Sequence, residues 1–584
     1  MSLFNLNDIK TKPSRSGFDL STKVAFTAKV GELLPVRWAF TMPGDKFTLK
    51  RQHFTRTQPV NTSAFTRVRE YYDWFYVPLH LLWRHAPEVI AQIQKNAQHA
   101  TSSSASASLG DYLPCLTCGD LETSLNNLEN LVDRYAVNQF GFKRSDLSYK
   151  LLQYLRYGNF LGADLKRNFA TSVNVDFGGY SQKRHWDLTL SIFPLLAYKK
   201  FCQDYFRYTQ WQDSQPYLWN IDYYDASTQR VSLPRAGEPY WNSLTMFDLE
   251  YCNWNKDLFL GIMPDAQYGD VSRIDIELGD SGGVVVNTSR ISNSNTVPPV
   301  QPDSQIGITG AKFASTGSHL NFDVLALRRG EALQRWKEVS LNNSQNYRSQ
   351  IKAHFGVDLG DNMSGMSTYV TGDASSIDIS EVLNTNLATD SDIAHVAGKG
   401  VGSGSHSDQF TSPDWGILMC IYHAVPLLDY VSTAPDPQLF VSKNTDLPIP
   451  ELDSIGMQSI PICYYTNSVL ETAPPASTFL PTQTMGYLPR YYQWKTSYDY
   501  VLGAFTTTEK EWVAPFTPDI WKAILKGINS GSSTTYSFFK VNPSVMDSIF
   551  QVNADSTWDT DTFLINCAFD IKVARNLDYS GMPY

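Results

Sequence analysis

Residues 563–573 read FLINCAFDIKV. Phe563, Ile565, Cys567, Phe569, Ile571 and Val573 share one parity; Leu564, Asn566, Ala568, Asp570 and Lys572 share the other. Successive side chains of a strand point to opposite sides, so six apolar residues in strict alternation describe a strand with one buried face. The same signal stands near the other end of the chain. In 33–40, Leu34, Val36, Trp38 and Phe40 alternate with Leu33, Pro35, Arg37 and Ala39, and Met42-Pro43-Gly44-Asp45 follows as a turn. A second strand is predicted over 47–57. A third is predicted over 65–77, with Val68, Tyr72, Trp74 and Tyr76 on one parity and Pro78 closing it. WGILMCIYHAV at 415–425 is apolar on both parities, as in a strand covered on both faces. Strands at both ends with long excursions between them predict a closed or sandwich β architecture, and a jelly roll fits that arrangement.

The excursions carry helical patterns at 86–97, 191–211 and 322–341. Leu195, Tyr198, Cys202 and Tyr205 share a face of the second. In the third, Leu325, Ala332, Trp336 and Val339 form the apolar stripe, and Asn321 and Asp323 are candidate caps. Residues 100–108, ATSSSASAS, form a low-complexity loop. Residues 280–318 are rich in Gly, Ser, Asn and Pro with few large apolar side chains, so 268–319 reads as a surface insertion. Residues 1–30 read as an extended arm carrying Lys10, Lys12, Arg15 and Lys23.

Composition agrees with a β-rich chain. Of 584 residues, 13% are aromatic and only 18% charged, and the net charge of −10 rules out a general polycation. Seven scattered cysteines, no apolar leader and no transmembrane-length apolar run predict reduced thiols in a cytoplasmic folding environment without membrane insertion. Cys115-Leu-Thr-Cys118 lacks the second ligand pair of a zinc site, so no metal or other cofactor is expected.

Gly279-Asp280-Ser281-Gly282-Gly283 matches the surroundings of a serine-protease nucleophile. A nucleophilic serine needs a histidine and an acid in reach. None of the ten histidines has a suitable context, and Val284 stands where a proline is wanted. Turn chemistry explains the motif: Asp280 favours an Asx turn, and Gly282 and Gly283 accept positive φ. Gly398-Lys-Gly-Val-Gly-Ser-Gly404 lacks the order of a phosphate-binding loop and reads as a flexible loop; Asp361, Asp373 and Asp378 likewise read as loop carboxylates. The chain is not expected to be an enzyme. The alternative kept open is a secreted β-rich hydrolase or carbohydrate-binding protein.

The basic residues have more content. Lys46, Lys50, Arg51, Arg56, Arg67 and Arg69, interleaved with Phe54, Phe65 and Tyr71, suit phosphates and stacked bases of single-stranded nucleic acid.

Several blocks resemble one family. They include LLPVRWAFTMPGDKFTLKRQHFTRTQPV at 33–60, REYYDWFYVPLHLLW at 69–83 and FPLLAYKKFCQDYFRYTQW at 193–211. YCNWNKDLFLGIMPDAQYGDV at 251–271, LALRRGEALQRWKEVSLNNSQNYRSQIKAHFGV at 325–357 and IDISEVLNTN at 377–386 continue the series. IGMQ at 455–458, MGYLPRYYQWKTSYDYVLGAF at 485–505 and VARNLDYSGMPY at 573–584 complete it, all in family order. In these blocks the chain resembles the major capsid proteins of microviruses, small icosahedral phages with single-stranded DNA, in particular the gokushovirus-like branch. The resemblance implies a single eight-stranded jelly roll over 31–584, with long insertions containing several helices. It implies a virion protein, assembled in the bacterial host cytoplasm through pentamers into a minimal icosahedral (T=1) shell around a circular genome. It also implies a small basic DNA-binding phage protein as partner. By position, 268–319 corresponds to an insertion at the three-fold axes that meets a host-surface receptor, which puts Asp280, Ser281, Gly282 and Gly283 outside. Lys10, Lys12, Arg15, Lys46, Lys50, Arg51 and Arg56 are the candidate DNA contacts.

Overall fold

The computed structural model describes residues 15–579, save 63, 92–112, 132–135, 159–174, 178–179, 183–188, 224–245, 271–323, 384–395, 432–433, 467–469, 472–477, 480–481 and 517–537. The chain forms two compact units: Met1–Ala266 with Ser344–Tyr584, and Gln267–Asn343.

The first unit is built on nine strand segments. They are β1 (Ser16–Asp19), β2 (Thr22–Ala28), β3 (Leu34–Thr41), β4 (Lys46–Thr57), β5 (Val68–Pro78), β6 (Thr368–Leu383), β7 (Val396–Thr411), β8 (Gly416–Pro426) and β9 (Phe563–Arg575). β1 and β2 lie along the same edge of β9, and Leu20 N–H donates to Ile571 O between them, so the two act as one interrupted strand. Nine segments therefore fill eight positions, in the order β1/β2–β9–β4–β7–β6–β5–β8–β3, with every neighbouring pair antiparallel.

Within that order the first position pairs with the last, β3 with β8, β4 with β7 and β5 with β6. This is a ribbon of paired strands rolled on itself, and it splits into two layers, β1/β2–β9–β4–β7 and β6–β5–β8–β3. The fold is a jelly roll of the viral-capsid type. Across the layers Phe26 meets Tyr422 at 5.2 Å between ring centroids, and Trp74 meets Phe569 at 5.9 Å.

The alternation of 563–573 is realised without exception: its six apolar residues are buried and the intervening ones face outward. β8 is buried along its whole length, as a strand covered on both sides must be. Its outer cover is helix α2 (Phe193–Tyr205), which enters on Pro194 and is buried nearly all round. Phe201 and Tyr205 lie 5.4 and 4.9 Å from Phe75 of β5, ring to ring, and Tyr198 donates to Leu33 O at 3.0 Å. The Met42–Asp45 turn forms with Gly44 at φ +83° and Asp45 N–H donating to Met42 O.

Three sequence expectations change. The arm expected over 1–30 contributes 16–28 to the framework, because those residues supply the edge strand that β9 needs; residues 1–14 lie outside the described residues. The β7 glycines form a strand, not a loop. Asp373 and Asp378 stand on β6. In the second unit, helix α3 (Val324–Asn342) is anchored by Gln334 donating to Gln267 at 2.6 Å and Lys337 donating to Asp270 O, while Trp336 is 55% exposed. The 268–319 insertion lies outside the described residues apart from 268–270.

The glycine strand has a packing cause. Gly398, Gly400, Gly402 and Gly404 recur at period two, so they share the inward face. A Cβ on Gly402 would stand 2.7 Å from Glu70 Oε1, and one on Gly404 would stand 2.6 Å from His53 Cε1. The space belongs to a buried polar knot. His53 Nε2 lies 2.7 Å from Glu70 Oε1, Thr55 donates to Glu70 Oε2 at 2.7 Å, and Arg51 bonds Asp373 and lies 3.6 Å from the Tyr72 ring centroid.

A second buried network fixes the insertion helix α1 (Arg144–Tyr154) to the junction of first and last strands. Lys150 Nζ donates to Glu32 Oε2 at 2.6 Å and Asp561 Oδ1 at 2.8 Å; Lys29 Nζ donates to Asp561 Oδ1 at 2.7 Å. Burial acts to raise the Asp561 pKa, but Lys150 and Lys29 outweigh it and hold the carboxyl below its ordinary value.

Two outcomes follow from this packing. Gly402→Ala should destabilise the fold by about 1–3 kcal/mol by overpacking, whereas Ser403→Ala on the outer face should stay within about 0.5 kcal/mol; denaturant unfolding of both variants measures the contrast. Asp561→Ala should cost about 3–5 kcal/mol, because it strands two buried ammonium groups. A folded-state pKa held low contributes stability above the unfolded value of about 3.9, and that stability is lost as pH falls through the folded value. Unfolding free energies from pH 7 down to 2 should show this acid loss in the parent chain and a shallower one in Asp561→Ala.

Candidate nucleic-acid interface

β4 sorts the basic cluster by parity. Phe47, Leu49, Arg51, His53, Thr55 and Thr57 are buried; Lys46, Lys50, Gln52, Phe54 and Arg56 are exposed. Arg51 is therefore not a surface residue. It is 3% exposed and held by Asp373 and His53. Its parity with Phe47 and Leu49 requires this, since one strand face cannot both line a core and meet solvent.

The roll separates the remaining cations. β4 pairs with β9 and β7, whereas β5 pairs with β6 and β8. Arg69 thus belongs to the other layer, and Arg67, just before β5, is paired with Asp499 at 3.0 Å. Lys46, Lys50 and Arg56 stay together on the outer face of the first layer. Register adds Lys572, one strand over and level with Thr48, and Lys23, level with Ala568 and Gln52. Lys399 extends the exposed row of β7.

Among the described residues of this face, six cations accompany two carboxylates, Asp19 and Asp570, and Asp570 is directly opposite Lys50. Phe54, Leu564 and Val401 are 40%, 41% and 38% exposed between the charges, and Arg56 lies over the Phe54 ring at 5.1 Å. Ser403, Ser405, Ser407 and Gln409 supply hydrogen-bonding groups along β7. Among the described residues this is an uncovered sheet face of positive sign with apolar platforms, in contrast to β5 and β8, which α2 covers.

Arg15 serves the framework. Its guanidinium donates to Gly44 O at 2.5 Å, tying the β3–β4 turn to the β1 edge. Lys10 and Lys12 lie outside the described residues, as do Asp280, Ser281, Gly282 and Gly283. Local sequence pattern places Lys23, Lys399 and Lys572 in an arm, a loop and an unrelated strand. Only the pairing register brings them beside Lys46 and Lys50.

The polar knot also bears on hydrolysis, since it contains a serine, a histidine and a glutamate. Ser375 Oγ and Glu70 Oε1 lie 3.0 and 2.7 Å from the same nitrogen, His53 Nε2, and Arg51 occupies Nδ1. A catalytic relay needs nucleophile and acid on opposite ring nitrogens. The His53 and Glu70 side chains have no exposed surface, so the group is a structural knot. Burial pulls the His423 pKa down to about 3, keeping that ring neutral against Tyr71. Among the described residues, Cys202, Cys252, Cys420 and Cys567 are buried free thiols. No group of three or more metal-ligating side chains occurs among the described residues, and no described helix is long and apolar enough to cross a membrane.

Comparison with known proteins agrees with the topology. A family model described as capsid protein (F protein) of phages matches residues 7–115 and 166–398, more than half of the chain. The chain is also similar to the capsid protein VP1 of Chlamydia phage 1, at 22% identity over 420 residues. That alignment covers 65% of this chain and 65% of the relative. With the rolled strand order and this family match together, the chain belongs to the phage capsid protein (F protein) family, whose members are structural proteins and not enzymes.

Proposed function

We propose that this chain is the major structural subunit of a small phage shell, assembling through pentamers into an icosahedral particle around a circular single-stranded DNA genome. The observation that carries the DNA half of this reading is the bare basic face of the first layer. Phosphates are attracted by its six cations, and bases can stack or rest on Phe54 and its apolar neighbours. Binding of this kind is independent of sequence, as a container for a whole genome requires.

The chain cannot neutralise a genome by itself, since its net charge is −10. A small basic DNA-binding protein packaged with the genome would supply the remaining countercharge. The 268–319 insertion fits an outward role towards a host receptor, because it interrupts no framework strand and is polar in composition. The shell is the site of residence in this reading: a virion, formed in the host cytoplasm.

The test is a triple substitution, Lys46→Gln, Lys50→Gln and Arg56→Gln, on exposed positions that leave the fold intact. Binding of capsomers to single-stranded DNA should weaken. The slope of log affinity against log salt should flatten by about 0.7 for each phosphate that is no longer neutralised, about 2 for the three. Particles should still form but with less encapsidated DNA. An unchanged salt slope and full DNA content would refute the interface.

A further inference from the structure

The outer face of β5, on the side that α2 covers, carries a carboxylate beside an imidazole. Asp73 stands level with Gly372 of β6 and Ile421 of β8. Its Oδ1 accepts from the Tyr369 hydroxyl at 3.2 Å. Its Oδ2 lies 3.7 Å from Nδ1 of His423, beyond hydrogen-bond distance. That Nδ1 is buried and has no hydrogen-bond partner among the described residues. Leaving a buried acceptor unsatisfied is costly, so the site gains from any donor that reaches it. The His423 ring cannot swing away: Tyr71 stacks on it at 4.8 Å with the planes 8° apart, and Phe206 meets it edge-on at 5.2 Å. The carboxylate has its room from a glycine, since a Cβ on Gly372 would stand 2.1 Å from Asp73 Oδ1.

The titratable groups around this pair are already engaged. β6 supplies Tyr369 and Asp373, and β4 supplies Arg51, which is bonded to Asp373. From α2, Tyr205 lies 6.3 Å from Tyr369, ring to ring, and bonds Ser367 O; Asp204 accepts from Ser367 N at 2.8 Å and from Lys200 at 3.0 Å. Lys540 donates to Phe206 O at 2.7 Å. Burial pushes the Asp73 carboxyl up to about 6 against the Tyr369 hydrogen bond, with Asp373 adding to the rise and Arg51 opposing it. Burial draws His423 down to about 3, so its ring is neutral throughout the range in which Asp73 titrates.

We propose that Asp73 and His423 form an acid-closing latch between β5 and β8, in which the protonated Asp73 carboxyl donates its hydrogen to Nδ1 of His423. One proton passes from solvent to Oδ2, the ring keeps its own hydrogen on Nε2, and the Tyr369 bond to Oδ1 is retained. Closing the gap to an ordinary hydrogen bond takes a side-chain shift of about 1 Å. Mild acid thus joins β6, β5 and β8 through Tyr369, Asp73 and His423, and neutral pH opens the last link. A folded-state value of about 6 stands above the unfolded value of about 3.9. The stabilisation is therefore fully present below the unfolded value and is lost as pH rises through the folded one. Its sign is opposite to that of Asp561, and its window lies at higher pH. The latch belongs to the single chain and does not rest on the shell reading.

The test compares the full-length parent chain with Asp73→Asn and His423→Phe by denaturant unfolding and by infrared difference spectra between about pH 7.5 and about pH 5. The Asp73→Asn amide donates to Nδ1 at either pH, so that variant has no proton to gain. The parent's folding equilibrium constant should rise in acid about tenfold more than that of Asp73→Asn. His423→Phe keeps a ring on Tyr71 but offers no acceptor, and its acid gain should be smaller than the parent's. In the infrared, the parent should gain a protonated-carboxyl band in acid. That band should be absent from Asp73→Asn and moved to higher frequency in His423→Phe, where the carboxyl has lost its acceptor. Equal acid gains in the parent and Asp73→Asn, or a carboxyl band indifferent to His423→Phe, overturn the latch. If Asp73→Asn does not fold, the parent and His423→Phe spectra decide the matter alone.

Discussion

The pairing of Ser16–Asp19 and Thr22–Ala28 with Phe563–Arg575 is the constraint on which the rest of the structure depends. It joins the first strand position to the last, across nearly the entire chain. Once it forms, every intervening strand must lie inside a closed ribbon, and the remaining pairs follow by successive inward rolling. Such long-range closure is slow to form and costly in loop entropy. The Lys29–Asp561–Lys150–Glu32 network is placed where it holds that closure, since Lys29 follows β2, Asp561 precedes β9 and Lys150 comes from the insertion helix α1. The network is balanced, two ammonium groups with two carboxylates, so it can be dry without leaving an uncompensated charge.

Closure also produces two unequal faces. The long excursion of residues 79–367 returns α2 across β5 and β8, and β8 becomes interior on both sides. Among the described residues, the first layer receives no such cover on its outer face. A sheet face of that extent bearing Lys23, Lys46, Lys50, Arg56, Lys399 and Lys572 is soluble in one chain and is suited to a polyanion. The interior accommodates polarity through glycine: Glu70 and His53 fit between the layers because β7 offers Gly402 and Gly404 against them. Tight packing and a buried polar knot are thus two views of one arrangement.

The framework is legible in the sequence where hydrophobic alternation or continuity is strong. Residues 563–573 and 415–425 announce a half-buried and a doubly covered strand, and both are observed. β7 is illegible because its inward residues are glycines, whose strand role depends on side chains from β4 and β5 that no local pattern reveals. β1 and β2 are hidden for a related reason: a short, polar edge segment has little alternation and is defined by its partner β9. Parity alone, by contrast, is enough to separate Arg51 from Lys50, since Arg51 shares its face with Phe47 and Leu49. The grouping of Lys23, Lys399 and Lys572 needs the register of four strands.

The central claim is that the bare face of the first layer meets packaged nucleic acid in a shell built from this chain. A cryo-electron microscopy map of the particles formed by the full chain with its genome tests it most directly. Closed icosahedral particles are expected in which the outer surfaces of β4, β7 and β9 line the interior, with density against Lys46, Lys50 and Arg56. Particles with that face turned to the outside, or buried wholly between protein subunits, would contradict it.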